Sequence, residues 1–448
     1  MTAHSAPMHG ETLIECCPRP GPSTGVQECH VFPAPTTFRK PFGEAEFVDA
    51  ARRSNAVPIP HPLALEVCAP RGLRLIHGVP AAYSRAAGEM YVERLLRQIE
   101  RIAPLFDRDR DVVQLVLEHF SGLLDVGHVL QVVESLGRQF HFSPDPDREF
   151  RVAFGGAPPG AAEIRRFAAA GLNRASLSVT VPGRRSAALR SRSIDPVLQA
   201  VSACREAGLS STALTLRFDY AAYDEQTAAD AIATLVADRP ERIALTGRSL
   251  AAVAAAGHRT LTDCGYRLIG PDEYALPDDA LAIAAAAGTL GIGPSGYCAA
   301  GDCDVLGFGA GALSRIGDVW CRNLSDVGAW ESAIDAERLP LCCGHALDAD
   351  ERLRADIVRD LLCRRRLDIR AIERRWQVDF AEHFAGALAR LRRHEELGWL
   401  ETGRDELRIL AREGEAIRII ALCFTPDYQK PGQEPGAAGR HPVPSGRH

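Results

Sequence analysis

The side chains able to do chemistry in this 448-residue chain fall into a few short groups. Cys298 and Cys303 are separated by four residues, and with His119 and His128 they would offer thiolates and imidazoles to a transition metal if the fold gathered them. No C-x2-C or H-x3-H spacing supports that site from the sequence alone. Glu118 and His119 are adjacent at the end of an apolar run, where a carboxylate and an imidazole could act as an acid/base pair. Neighbours on a strand point to opposite faces, which counts against the pairing. Cys17-Pro18 offers a thiolate able to ligate haem iron. His77 stands alone beside Gly78, where a solvated imidazole is the ordinary outcome. The adjacent pairs Cys16-Cys17 and Cys342-Cys343 belong to an odd total of 13 cysteines at irregular spacing, which reads as reduced thiols serving as small core hydrophobes.

These residues need a frame, and the chain supplies one by alternation. LALEV (63–67), VVQLVL (112–117), FRVAF (150–154), ASLSV (175–179), TALTLRF (212–218) and RIALTG (242–247) read as strands. Helical patterns lie between them at 91–106, 129–140, 161–171, 196–208 and 227–238. Short apolar strands separated by helical spacers predict a parallel sheet covered by helices. Beyond about residue 300 helices dominate, closing with a hairpin at WLETGRDELRIL (399–410). Pro-, Gly- and Ser-rich stretches predict disordered tails at 1–24 and 429–448. With 46% hydrophobic residues the chain can bury a sizeable core, and its formal charge of −6 argues against nucleic acid as a partner. Basic residues are almost all arginine; Lys40 and Lys430 are the two lysines. No apolar run reaches membrane-span length and the N-terminus lacks a signal-peptide pattern, so a cytoplasmic monomer is expected.

Motifs spread over roughly 25–428, among them Pro62, Leu63, Leu65 and Val67 in a first strand and Gly307, Gly309, Gly317, Asp318 and Asn323 in a glycine-rich turn, resemble the oxygen-independent coproporphyrinogen III dehydrogenases, radical-SAM enzymes of haem synthesis. In the run PLALEVCAPRGLRLIHGV (62–79), Pro62, Leu63, Leu65, Val67, Pro70 and Leu75 fit that family's first strand and loop. LGFGAGALSRIGDVWCRN (306–323) resembles its glycine-rich turn through Gly307, Gly309, Ile316, Gly317, Asp318 and Asn323. DERLRADIVRDLLC (350–363), DFAEHFAGALARL (379–391), APLF (103–106), GLNRASLSV (171–179), LPDD (276–279) and Arg418 also match. The resemblance implies an α/β fold: an incomplete parallel (β/α)6 TIM-like barrel of radical-SAM type with a helical, winged-helix-like C-terminal domain. It divides the chain into an N-terminal extension at 25–61, a partial barrel at 62–299 and a C-terminal domain at 300–428.

At the chemical positions the resemblance fails. The family binds its [4Fe–4S] cluster through C-x3-C-x2-C, and those positions fall here on Gly72, Ile76 and Val79, none of which can ligate iron. Its Gly-Gly-Gly-Thr-Pro run becomes Glu118-His119-Phe120-Ser121-Gly122. Its first-strand Tyr and His become Glu66 and Cys68, its third-strand acid Ala153, its Gly-Val-Gln Ser178-Val179-Thr180, and its fifth-strand aspartate Thr215. Arg192 is the one cofactor-contact position carried over. The expectation is a degenerate homologue with no catalytic residue, no metal and no cofactor, in place of the family's cluster and S-adenosylmethionine. Porphyrin, haem or a haem-pathway enzyme are its expected partners. The alternative that whole-chain similarity implies is an active dehydrogenase, decarboxylating coproporphyrinogen III oxidatively to protoporphyrinogen IX.

Overall fold

The computed structural model describes residues 32–33, 38, 40–69, 81–118, 124–154, 157–181, 187–218, 223–247 and 250–426. Six strands carry the fold: β1 (Leu63–Cys68), β2 (Asp111–Glu118), β3 (Glu149–Phe154), β4 (Arg174–Thr180), β5 (Ser211–Arg217) and β6 (Arg242–Thr246). They pair in chain order, every pair parallel. Each is followed by a helix: α1 (Ala81–Ile102), α2 (Val126–Gln139), α3 (Ala161–Ala169), α4 (Ala187–Glu206), α5 (Glu225–Val236) and α6 (Leu250–Asp263). Local chemistry sets several starts. Asp125 caps α2 by accepting the His128 N–H at 3.0 Å, and Asp224 caps α5 by accepting the Thr227 N–H at 2.7 Å.

Strand alternation explains why the sheet keeps its helices. On β4, Ala175, Leu177 and Val179 are buried in the main core, which also holds Phe154, Phe167 and Leu214. The intervening Ser176, Ser178 and Thr180 remain half-buried on the opposite face. Fully burying one of the large outer residues is worth roughly 1.5–3 kcal/mol, so this face decides where the helices sit.

The sheet does not close. Beyond β6 it continues antiparallel into Glu273–Ala275 and then Arg267–Gly270. On the far side of β1 the strand Asp304–Phe308 pairs in parallel, and Leu313–Ile316, Val319–Asn323 and Leu341–Ala346 follow antiparallel. The sequence pattern pointed to helices past residue 300, and these strands escaped it. They are four to six residues long, and two of them, Asp304–Phe308 and Val319–Asn323, are buried throughout, which erases the alternation that identifies a strand.

The C-terminal helices Ala349–Arg364, Ile369–Trp376 and Ala385–Glu396 stand beside a small sheet of Arg366–Asp368, Glu406–Ile409 and Leu400–Thr402, the winged-helix-like arrangement. The last two strands form the hairpin read from the sequence. This part has its own core around Ile357, Leu361, Phe380, Phe384, Leu407, Ile420 and Phe424.

Candidate functional site

The inner face of the open barrel gathers side chains that the sequence scatters over more than 200 positions. At its floor, Arg242 donates from Nη2 to Glu149 Oε1 at 2.5 Å and from Nε to Asp279 Oδ1 at 2.9 Å. Arg174 lies 3.4 Å from the same Glu149 oxygen, and Ser211 donates to Asp279 at 2.9 Å. All five residues are buried. Burial alone would raise the Glu149 carboxyl, but the Arg242 and Arg174 guanidiniums hold it below its ordinary range. Burial likewise works against charged Arg242, and Glu149 and Asp279 overcome it. Arg174 moves the other way, lowered by burial and by the nearby Arg242 charge.

A hairpin, Gly291–Gly293 with Gly296–Cys298, covers this floor. At its tip the Ser295 N–H donates to Glu66 Oε1 at 3.1 Å, and Arg151 donates to the Ser295 carbonyl at 3.2 Å. Arg151 also lies 3.7 Å from Glu118. Burial pushes the Glu66 carboxyl up to about 7, with Glu118 adding to the rise while Ser295 and Arg151 oppose it. Burial pushes Glu273 up to about 7 as well, against the pull of Arg151 and Arg242. Glu66 and Arg151 thus serve first as the two polar clamps of a backbone turn.

Above the clamps the wall turns small. Cys68, Ala153, Ser178, Thr180 and Thr215 lie at the C-terminal ends of their strands on the inner face, all half-buried. That end of a parallel barrel is where loops converge on a ligand. Val179 points outward into the helix-packed core, 3% exposed, so it contributes no surface here. Gly72, Ile76 and Val79 lie outside the described residues, as do His77, His119, Phe120, Ser121, Gly122 and Cys17-Pro18. Arg192 falls within α4, and its side chain is also outside what is described.

The four-residue metal site does not form among the described residues. His128 instead closes a capping box with Asp125, whose N–H donates to its Nδ1 at 3.2 Å. Cys298 and Cys303 do meet, thiol to thiol. No group of three or more His, Cys, Asp or Glu able to hold a metal ion occurs among the described residues. Arg418 is engaged with Asp272, its Nη2 donating at 2.5 Å, and so ties the helix Gly414–Leu422 to the edge of the sheet. The sequence pattern did not reveal the floor. Its available signal was a charged residue at the first position of three successive or near-successive barrel strands, Glu149, Arg174 and Arg242.

No family model matches the chain. Curated relatives do. It is 27% identical over 428 residues to the oxygen-independent coproporphyrinogen III oxidase of Salmonella typhimurium, covering 88% of this chain and 91% of that one. The Escherichia coli protein of the same name matches with the same identity and coverage. The Synechocystis relative reaches 34% identity over 168 residues, 37% of this chain. Among solved structures, the Escherichia coli coproporphyrinogen III oxidase described as a radical SAM enzyme aligns with a TM-score of 0.75 at 25% identity, covering 88% of this chain and 96% of that one.

Proposed function

We propose that this chain, a member of the oxygen-independent coproporphyrinogen III oxidase family, is a degenerate homologue that keeps the scaffold and does not perform radical chemistry. One observation carries the reading: at the three cluster positions stand Gly72, Ile76 and Val79. A [4Fe–4S] cluster needs thiolates, and two aliphatic side chains and a hydrogen supply none. The donor set therefore does not fit the family's cluster. Glu66 points the same way. It stands where the family's tyrosine would be and is occupied in holding the Ser295 turn.

The role that remains is binding. The half-buried Ala153, Ser178, Thr180 and Thr215 leave a concave wall of small side chains at the barrel's C-terminal end. A porphyrin or haem, or an enzyme of haem synthesis, is the ligand class we assign to it.

Anaerobic reconstitution with iron and sulfide, followed by a 5′-deoxyadenosine assay, tests the proposal. The expected outcome is no stoichiometric cluster and no cleavage of S-adenosylmethionine. A bound cluster with reductive cleavage would establish the second reading, an active coproporphyrinogen III dehydrogenase. That reading is favoured by a match running through 91% of the Salmonella typhimurium relative.

A further inference from the structure

Cys298 closes the floor hairpin, and Cys303 immediately precedes the strand Asp304–Phe308. The four residues between them turn back at Gly301, whose φ of +76° places it in the left-handed region. The turn is tight. A Cβ on Gly291 across the hairpin would run into the Gly301 carbonyl. The two thiols are hydrogen-bonded to each other, and both are buried, 4% and 5% exposed.

Their surroundings differ. Cys303 lines a cavity of about 300 Å³ that also meets Asp302, Arg315, Trp320, Arg359 and Trp376. Arg315 donates to the Cys303 carbonyl at 2.8 Å, which places a guanidinium beside the thiol. The hydrogen bond from Cys298 lowers the Cys303 thiol below its ordinary range, and Arg315 adds to this against burial. Cys298 is pushed up by the same hydrogen bond and by burial. Cys303 is therefore the cysteine that faces the cavity and the Arg315 guanidinium, with Cys298 in contact behind it.

We propose that Cys298 and Cys303 are a peroxide-responsive dithiol, Cys303 attacking and Cys298 resolving. In the first step the Cys303 thiolate takes one oxygen of hydrogen peroxide. The O–O bond breaks, the hydroxide released is protonated to water, and Cys303 becomes a sulfenic acid. In the second step the Cys298 sulfur attacks the Cys303 sulfur. An S–S bond forms, the S–O bond breaks, and the Cys298 proton leaves with the hydroxyl as a second water. Two thiols are oxidised and one peroxide is reduced.

The disulfide would staple a joint. Asp302 pairs with Arg359 at 3.0 Å, and the Tyr297 hydroxyl donates to the Leu362 carbonyl at 3.2 Å, both on the helix Ala349–Arg364. The Ala299 N–H donates to Glu149 of the barrel floor at 3.3 Å. Oxidation thus locks the segment through which the floor and the C-terminal helices hold one another.

Peptide mapping tests the proposal on the unmodified protein. Cys298 and Cys303 share one tryptic peptide, residues 268–315, with no other cysteine. After one equivalent of peroxide, denaturation and alkylation, that peptide should lose two hydrogens and take up no alkylating agent. Cys204, Cys321 and Cys363, whose thiols burial pushes up to about 11, 12 and 12, should alkylate fully. In C298S, Cys303 should accumulate a dimedone-trapped sulfenic acid, and C303S should give neither product. Full alkylation of the wild-type peptide after peroxide overturns the proposal. So does sulfinic acid at Cys303 without the bond.

Discussion

Glu66 holds its proton in the folded protein well beyond the ordinary carboxylate range, because burial disfavours its charge more than Ser295 and Arg151 favour it. A carboxyl raised by folding contributes stability that is fully present below its unfolded pKa and is lost as pH rises through the folded value, about 7. Glu66→Gln keeps an oxygen for the Ser295 N–H and removes that titration. The variant should gain roughly 1–3 kcal/mol over the parent above the folded pKa and show a flatter stability profile through the mildly acidic range. Urea unfolding at a series of pH values measures this, and identical profiles would show that Glu66 stays ionised in the fold. Glu149 runs in the opposite direction. Its carboxyl is depressed by two arginines, so its contribution is present above the unfolded pKa and is lost as pH falls through the folded one.

The turn from Asp304–Phe308 to Leu313–Ile316 shows what its glycines do. Gly309 has a φ of +96°, and a Cβ there would meet the Cys68 carbonyl and the Tyr91 hydroxyl. Its N–H is held by Gln98 at 2.9 Å and its carbonyl by Asn323 at 2.8 Å. Gly309→Ala should cost about 2–4 kcal/mol, from backbone strain plus a clash with a main chain that cannot move aside. Thermal unfolding checks it, and a loss within the error of the measurement would mean that the turn relaxes. Gly307, Gly309, Gly317 and Asn323 were legible in the sequence as a motif, and the structure gives the physical ground for two of them: Gly309 approaches the backbone of β1, and Asn323 ties its carbonyl. The six barrel strands were legible to within a residue or two, because apolar residues fill their outer face and each is followed by a helical spacer. The ionic floor was not. Glu149, Arg174, Arg242 and Asp279 are distant in sequence and meet only when four separate segments are in place. Of the metal candidates, His119 lies outside the described residues and His128 is taken up as a cap partner three positions from Asp125.

At the scale of the whole molecule, an open barrel and a winged-helix-like unit make up the chain, and on the proposed reading the barrel wall binds a tetrapyrrole. Titration with coproporphyrin III and with haem, followed by absorbance, should give saturable binding at micromolar concentration. No saturation by either would withdraw the tetrapyrrole and leave a protein partner. Haem binding that vanishes in C17A would move the site to the Cys17-Pro18 segment. The alternation along β4 separates the residues that hold the fold from those that line the wall. Ala175, Leu177 and Val179 are buried in the helix-covered core, whereas Ser176, Ser178 and Thr180 are half-buried on the inner wall. Even- and odd-numbered positions of one strand therefore answer to different pressures. On the proposed reading, the wall positions Ser176, Ser178 and Thr180 are free to change while the outer residues and the buried Arg174 keep the same strand in place, so chemistry can be lost without the architecture registering it.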